Sequence, residues 1–135
     1  MLLLVDRTWD GEPALEGESV RVELEARGGG IAARIDAPFH GDPPPSVPRG
    51  TADRLWEHEV VEVFLLGRGD AYLEVELGPH GHHLVLELRG ARNVVRSGLP
   101  LPYSAGIAGS RCTGDAEIPA EVLPPGLDRV NAFAV

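Results

Sequence analysis

The sequence predicts an all-β fold, an antiparallel two-sheet β-sandwich that spans residues 1–135 as one domain. Apolar and polar residues alternate in several short segments, which is the pattern of half-buried strands. Between Leu55 and Asn93, three apolar-rich runs are separated by GRG and GPHGHH, as in a three-strand meander. The chain also contains 17 glycines and 12 prolines, which favour many tight turns over helices. A length of 135 residues suffices for a hydrophobic core without disulfide or metal.

The first part of the chain predicts one short strand and a hairpin. LLLV at residues 2–5 is a first strand that ends at a polar turn. Residues 19–26 alternate cleanly, and residues 31–35 repeat the pattern after the triple glycine, so the two segments form a hairpin. Residues 37–50 contain five prolines and two glycines, which predicts a long, stiff surface loop of the kind that often carries function.

The second part of the chain completes a sandwich of about eight or nine strands. After the meander, residues 94–95 extend a strand, and residues 100–109 indicate an edge strand. Residues 116–118 form a strand that runs into one helical turn at 119–123, with Pro119 near the first position of the turn. Residues 130–135 form the last strand.

The register of the meander predicts a row of carboxylates. A three-residue GRG loop, with glycine in the left-handed conformation, sets Glu62 opposite Glu74. Pairing Leu77 with Leu84 across the second loop then sets Glu74 opposite Glu87. Like charges directly opposite on a sheet cost about 0.2 to 1 kcal/mol per pair, so such a row requires a reason. The opposite, buried face is predicted to carry Val61, Val63, Leu73, Val75, Leu77, Leu84, Leu86 and Leu88.

The carboxylate row is the candidate ligand-binding site. Its carboxylates could accept hydrogen bonds from sugar hydroxyls, hold calcium, or act as an acid/base pair. The alternative is a solvated face whose charge is neutralised by neighbours such as Arg21, Arg34 and Arg89. The predicted ligand-binding residues are Trp56, Glu62, Tyr72, Glu74, Glu76, Glu87 and Arg89.

Histidines and tryptophans supply further candidates. His58, His80 and His82 could hold a transition metal, with His40 or His83 nearby, although a polar loop is the more common use of a segment such as GPHGHH. Trp56 could stack on a sugar ring, whereas core packing is the favoured use of Trp9. The single cysteine, Cys112, is expected to be a buried thiol, since no catalytic signature surrounds it.

Charge and motif content exclude several functions. The net charge is −9 and lysine is absent, so nucleic acid and anionic membranes are expected to be repelled as partners. The sequence contains no phosphate-binding glycine loop and no GxSxG elbow. With one cysteine and no signal-peptide segment after Met1, the cytoplasm is the expected compartment.

Four segments together carry a family resemblance: TWDG, DAPFHGDPPPSVPRG, LWEHEVVEVFLL and LEVELGPHGHHLVLELRGARN. With these the chain resembles an uncharacterised protein family of bacteria and animals, itself similar to family-9 carbohydrate-binding modules and DOMON-like domains. That resemblance implies a jelly-roll or immunoglobulin-like sandwich, sugar binding between aromatic side chains, and calcium nearby. It does not imply haem, because Met1 is the only methionine and no lysine is present. The resemblance also implies a segment beyond AFAV that other members carry.

These observations lead to a prediction of noncatalytic binding of a small polar ligand, a saccharide in the sharpest form, on the acidic sheet face. A first alternative is a hydrolase or isomerase that uses two of the carboxylates or a metal held by the histidines. A second alternative is a scaffold domain with no small ligand. An enzyme would need a desolvated carboxylate of raised pKa, whereas a binding site would need exposed aromatic rings beside the acids.

Overall fold

The structure, a computed structural model, describes residues 1–7 and 10–134. Within these ranges the chain forms eleven strands and two short 3-10 turns, at Leu55–Glu57 and Ala120–Val122. The strands are β1 (Leu2–Val5), β2 (Val20–Arg27), β3 (Gly30–Pro38), β4 (Gly50–Thr51), β5 (Val61–Leu66), β6 (Ala71–Leu77), β7 (His82–Arg89), β8 (Val94–Ser97), β9 (Tyr103–Ala108), β10 (Arg111–Ile118) and β11 (Arg129–Ala134).

The strands make two sheets that pack as a sandwich, so the predicted all-β fold is confirmed. A five-stranded sheet has the order β1-β2-β3-β10-β9. A six-stranded sheet has the order β11-β5-β6-β7-β4, with β8 also paired to β7. All pairs are antiparallel except the short β4–β7 pair. Among the described residues, no helix has the length and apolar character that crossing a membrane requires.

The predicted hairpin at the start of the chain is confirmed as β2 and β3. Its turn consists of Gly28 and Gly29, whose φ angles are 58° and 84°, and Arg27 pairs with Gly30. Two consecutive residues with positive φ match the twist of a tight hairpin, and glycine adopts them without steric cost. The alternation in β2 then buries Val20 and Val22 while their neighbours face solvent.

The main hydrophobic core lies between the two sheets. The five-stranded sheet contributes side chains such as Val22 and Ile35, and the six-stranded sheet contributes Val63, Leu73 and Val75. Five of the eight residues predicted for the buried face of the meander lie in this core: Val61, Val63, Leu73, Val75 and Leu77.

A second, smaller core lies on the outer side of β7. There Leu84, Leu86 and Leu88 pack against Ala52, Leu55 and Val60. The segment that follows the proline-rich loop, residues 52–60, therefore covers one edge of the six-stranded sheet. Because of this cover, both sides of β7 are buried.

The predicted meander register is wrong in two places. Glu62 lies opposite Glu76 rather than Glu74, because the first loop is longer than GRG: the Gly67 N–H donates to the Ala71 oxygen over 2.9 Å. This shift of two residues leaves the faces of β5 and β6 unchanged.

The second error is a shift of one residue on β7, which exchanges its two faces. Leu84 lies opposite Glu76, and Glu87 lies opposite Leu73. Leu84, Leu86 and Leu88 are therefore buried in the second core and not in the main one. The row of Glu62, Glu74 and Glu87 does not form, because Glu87 lies on the other face.

The other predicted elements appear with modest differences. Residues 94–95 belong to β8, β9 is an edge strand of the five-stranded sheet, and the turn after Pro119 is a 3-10 turn. Ala37 and Pro38 still belong to β3, so the irregular loop begins two residues later. The total of eleven described strands exceeds the predicted eight or nine because β4 and β8 are short additions beside β7.

Candidate functional site

The outer side of β5, β6 and β11 forms a face of acids and aromatic rings. Glu62 lies opposite Glu76 on β6 and opposite Phe133 on β11. Phe64 lies opposite Glu74. We call this the acidic-aromatic face, made up of Glu62, Phe64, Tyr72, Glu74, Glu76 and Phe133.

Its three carboxyl groups differ in exposure. Glu62 and Glu74 are half-buried, whereas Glu76 is 0% exposed. Neither carboxyl oxygen of Glu76 has a hydrogen-bond partner. A buried carboxylate without partners is costly, so Glu76 is the most strained group of the face.

Burial raises the pKa of all three groups, and repulsion from neighbouring acids adds to the shift for Glu62 and Glu76. Burial raises the pKa of Glu76 to about 8, and the charge of Glu74 adds to the shift. Burial also raises the pKa of Glu74 and of Glu62. A protonated carboxyl can donate a hydrogen bond, whereas an ionised carboxylate only accepts. Near pH 7 the buried Glu76 carboxyl therefore favours its neutral form.

The aromatic rings of the face contact one another and remain accessible. The Phe64 ring centroid lies 5.6 Å from that of Phe133 in an edge-on arrangement and 6.4 Å from that of Tyr72. Phe133 is 50% exposed, and Phe64 and Tyr72 are half-buried. Trp56 stands on the 3-10 turn that covers β7 and is 45% exposed.

No arginine neutralises the face. Among the described residues, no ion pair reaches Glu62, Glu74 or Glu76. Arg21 and Arg34 lie on the other sheet, in β2 and β3. Arg89 lies opposite Ala71, on the side of β7 that faces away from the acids. The neutralisation that a plain solvated face would need is therefore not supplied by these three residues.

Two predicted site residues lie elsewhere on the same sheet. Glu87 forms an ion pair with Arg96 of β8. Glu87, Arg89 and Tyr72 line a cavity of about 130 Å³. Tyr72 is therefore the one predicted site residue that belongs both to this cavity and to the acidic-aromatic face.

The three candidate metal ligands lie around one very small cavity of about 10 Å³, which His58, His80 and His82 line together. The Nε2 atoms of His80 and His82 are paired with the backbone oxygens of Asp42 and Val47, at 3.0 and 2.8 Å. The described residues contain no group of three or more His, Cys, Asp or Glu side chains arranged to hold a metal ion. Metal binding by these histidines stays a prediction.

Sequence reasoning missed a polar cluster at one end of the sandwich. His40 Nε2 lies 2.7 Å from a Glu18 oxygen, and His40 Nδ1 lies 3.1 Å from a Glu59 oxygen. These three residues are 22 and 19 positions apart in sequence, so no local spacing could have revealed the cluster. Cys112 is buried as expected, while Trp9 lies outside the described residues.

Sequence comparison finds relatives of this chain among animal proteins. It is 42% identical over 134 residues to the UPF0462 protein C4orf33 homolog of Mus musculus. It is 40% identical to UPF0462 protein C4orf33 of Homo sapiens and 37% identical to the homolog of Danio rerio. The alignments cover 97% of this chain and between 67% and 69% of these relatives. The chain belongs to the UPF0462 family.

Membership in an animal family that the sequence resembled is thereby confirmed. No family model matches the chain, and no solved structure matches it. The wider likeness of the UPF0462 family to carbohydrate-binding modules stays a prediction.

Proposed function

We propose that the acidic-aromatic face binds a small neutral polyhydroxy ligand, a saccharide in its sharpest form, without catalysis. The observation that carries the proposal is the direct opposition of Glu62 and Glu76 beside exposed aromatic rings, with no arginine paired to the acids. The buried Glu76 carboxyl without a hydrogen-bond partner lowers the stability of the fold. A ligand that donates hydrogen bonds to these groups would recover part of that loss.

The face can contact both the hydroxyl groups of a sugar and the apolar side of its ring. Half-buried Glu62 and Glu74 can accept hydrogen bonds from hydroxyl groups. Phe64 and Phe133 can pack against the apolar side of a sugar ring. Phosphates and carboxylates would be repelled by the same acids. The resemblance to family-9 carbohydrate-binding modules agrees with this choice of ligand.

The test is a titration of the chain with glucose, maltose, cellobiose and inositol, followed by NMR with and without calcium. We expect at least one millimolar binder, equivalent to about −4 kcal/mol, and no binding of glucose 6-phosphate or glucuronate. Phe64→Ala is expected to weaken binding about tenfold, because stacking contributes roughly 0.5 to 1.5 kcal/mol. Glu74→Gln should also weaken it, while Asp115→Asn on the other sheet serves as the matched control.

Trp56→Ala marks how far the site extends, since Trp56 stands on the neighbouring 3-10 turn. The proposal requires Trp56→Ala to weaken or abolish binding of ligands with more than one sugar ring. A panel in which no neutral polyol shows saturable binding would overturn the proposal, and so would binding that Phe64→Ala leaves unchanged.

One observation favours an enzyme as the second candidate. Glu76 is a desolvated carboxyl whose pKa burial raises to about 8, which suits a general acid at neutral pH. The same NMR titration separates the two functions, because an enzyme would generate new product signals over time. Loss of those signals in Glu76→Gln, with ligand binding retained, would identify the enzyme.

A further inference from the structure

A cavity of about 360 Å³ lies at one end of the sandwich, between the two sheets. The five-stranded sheet contributes Val20, Ala37 and Cys112 to its wall, and the six-stranded sheet contributes Val61 and Leu77. These side chains are all apolar and buried. The volume lies within the range of about 300 to 1,000 Å³ that is typical of small-molecule sites.

One corner of this cavity is polar and preorganised. Glu18, His40 and Glu59 line it together. The Glu59 side chain is only 10% exposed, and it accepts a 2.6 Å hydrogen bond from the His40 backbone N–H. Both imidazole nitrogens of His40 face carboxylate oxygens, which requires both to carry protons. The corner thus holds an imidazolium between two carboxylates, with further acceptor capacity on each acid.

The acids of the corner already have a partner before any ligand arrives. Glu18 and Glu59 both contact His40, and Arg7 also lines the cavity. A ligand anion would meet two carboxylates, and a ligand cation would compete with His40. An uncharged hydrogen-bonding group meets neither obstacle.

We propose that this cavity binds a small uncharged amphiphile, with its apolar body between the sheets and one hydroxyl or amide group at the Glu18–His40–Glu59 corner. The site is separate from the acidic-aromatic face and does not depend on the function proposed there. Its walls are those of a hydrophobic pocket with few, convergent polar groups.

Cys112 offers a direct readout because it is the single cysteine of the chain and part of the cavity wall. The probes are 1-octanol, octanoate and octylammonium, which share an alkyl chain and differ in charge. We expect 1-octanol to slow N-ethylmaleimide labelling of Cys112 about tenfold when its free concentration is about ten times its Kd. At the same free concentration octanoate and octylammonium should have little effect. Amide shifts at Val61 and Val20 report contact with both sheets.

Two variants control for position. Ala14→Trp places a large ring at the half-buried rim of the cavity and should abolish protection by 1-octanol. Ala108→Trp, on the exposed edge strand β9, should leave protection intact. Equal protection by all three probes would overturn the proposal, because the polar corner would then not discriminate between uncharged and charged ligands. Absence of protection by 1-octanol, or protection unaffected by Ala14→Trp, would also overturn it.

Discussion

The outer faces of the two sheets arrange their charged side chains in opposite ways. On the five-stranded sheet, Arg34 of β3 lies between Glu23 of β2 and Asp115 of β10, and it binds Asp115 at 2.9 Å. On the six-stranded sheet, Glu62 lies opposite Glu76 with no arginine paired to either. One face alternates charge across its strands, and the other concentrates one sign.

This difference teaches that the acidic-aromatic face does not follow from composition alone. The chain has arginines available and sets Arg34 and Arg111 against aspartates on the other sheet. Complementary cross-strand charges stabilise a sheet, whereas like charges destabilise it by a similar amount. The six-stranded sheet instead leaves the buried Glu76 carboxyl without a hydrogen-bond partner, and local violations of such rules are typical of functional sites.

The largest effect should come from the covered part of the outer face. Leu86 is 6% exposed in the second core, so Leu86→Ala should lower the free energy of unfolding by about 2 to 5 kcal/mol through a cavity and lost burial. Urea unfolding measures the change. A loss below 1 kcal/mol, roughly that of a surface site, would show that the segment of residues 52–60 does not pack over β7.

A smaller effect concerns the pH dependence of stability through Glu76. The pKa of Glu76 rises from 4.5 in the unfolded chain to about 8 in the fold, so the folded state keeps this proton to higher pH. The resulting stability is fully present below pH 4.5 and is lost as the pH rises towards 8. The shift sets a ceiling of about 5 kcal/mol, and structural relaxation reduces it, so we expect a loss of about 2 kcal/mol.

Glu76→Gln should remove most of this slope in urea unfolding measured at several pH values. Glu87→Gln is the matched control, because Glu87 is half-exposed on the neighbouring strand and paired with Arg96. Parallel slopes for wild type and Glu76→Gln would contradict the assignment of a buried, unpartnered carboxyl.

The smallest effect is expected at Glu87. Its ion pair with Arg96 is largely solvent-exposed on the arginine side, and such pairs contribute about 0 to 1 kcal/mol. Glu87→Ala should therefore change the free energy of unfolding by less than about 1 kcal/mol. A larger loss would mean that the Glu87–Arg96 pair contributes more than a surface ion pair, whereas a clear gain in stability would indicate that Glu87 is repelled by neighbouring acids.

Local patterns were sufficient for most strands. The alternation from Val20 to Leu24 and the glycine pair at 28–29 define the first hairpin without tertiary information. The same holds for which sides of β5 and β6 are buried, because Val63 and Val75 alternate with glutamates.

The errors arose where distant residues decide the outcome. Gly67 approaches Pro124 and Pro125 so closely that an added Cβ would lie 2.6 Å from the Pro125 oxygen, and this contact shapes the first loop. In β7 both sides are apolar, so Leu84 and Val85 are equally plausible core residues until Leu55 covers one of them. The observed acidic-aromatic face includes four of the predicted site residues, Glu62, Tyr72, Glu74 and Glu76. It also includes Phe64 and Phe133, which were not predicted because their positions depend on that register and on β11.

The strand order of the two sheets also dictates when each can assemble. β5, β6 and β7 are consecutive and pair as neighbours, so they can associate as soon as residue 89 has left the ribosome. β3, in contrast, pairs on one side with β10, which begins at Arg111. Until that strand arrives, the nascent five-stranded sheet exposes an unpaired edge, and such edges template aggregation. Arg34 and Asp36 along β3 give that temporary edge the charges that discourage pairing with another chain.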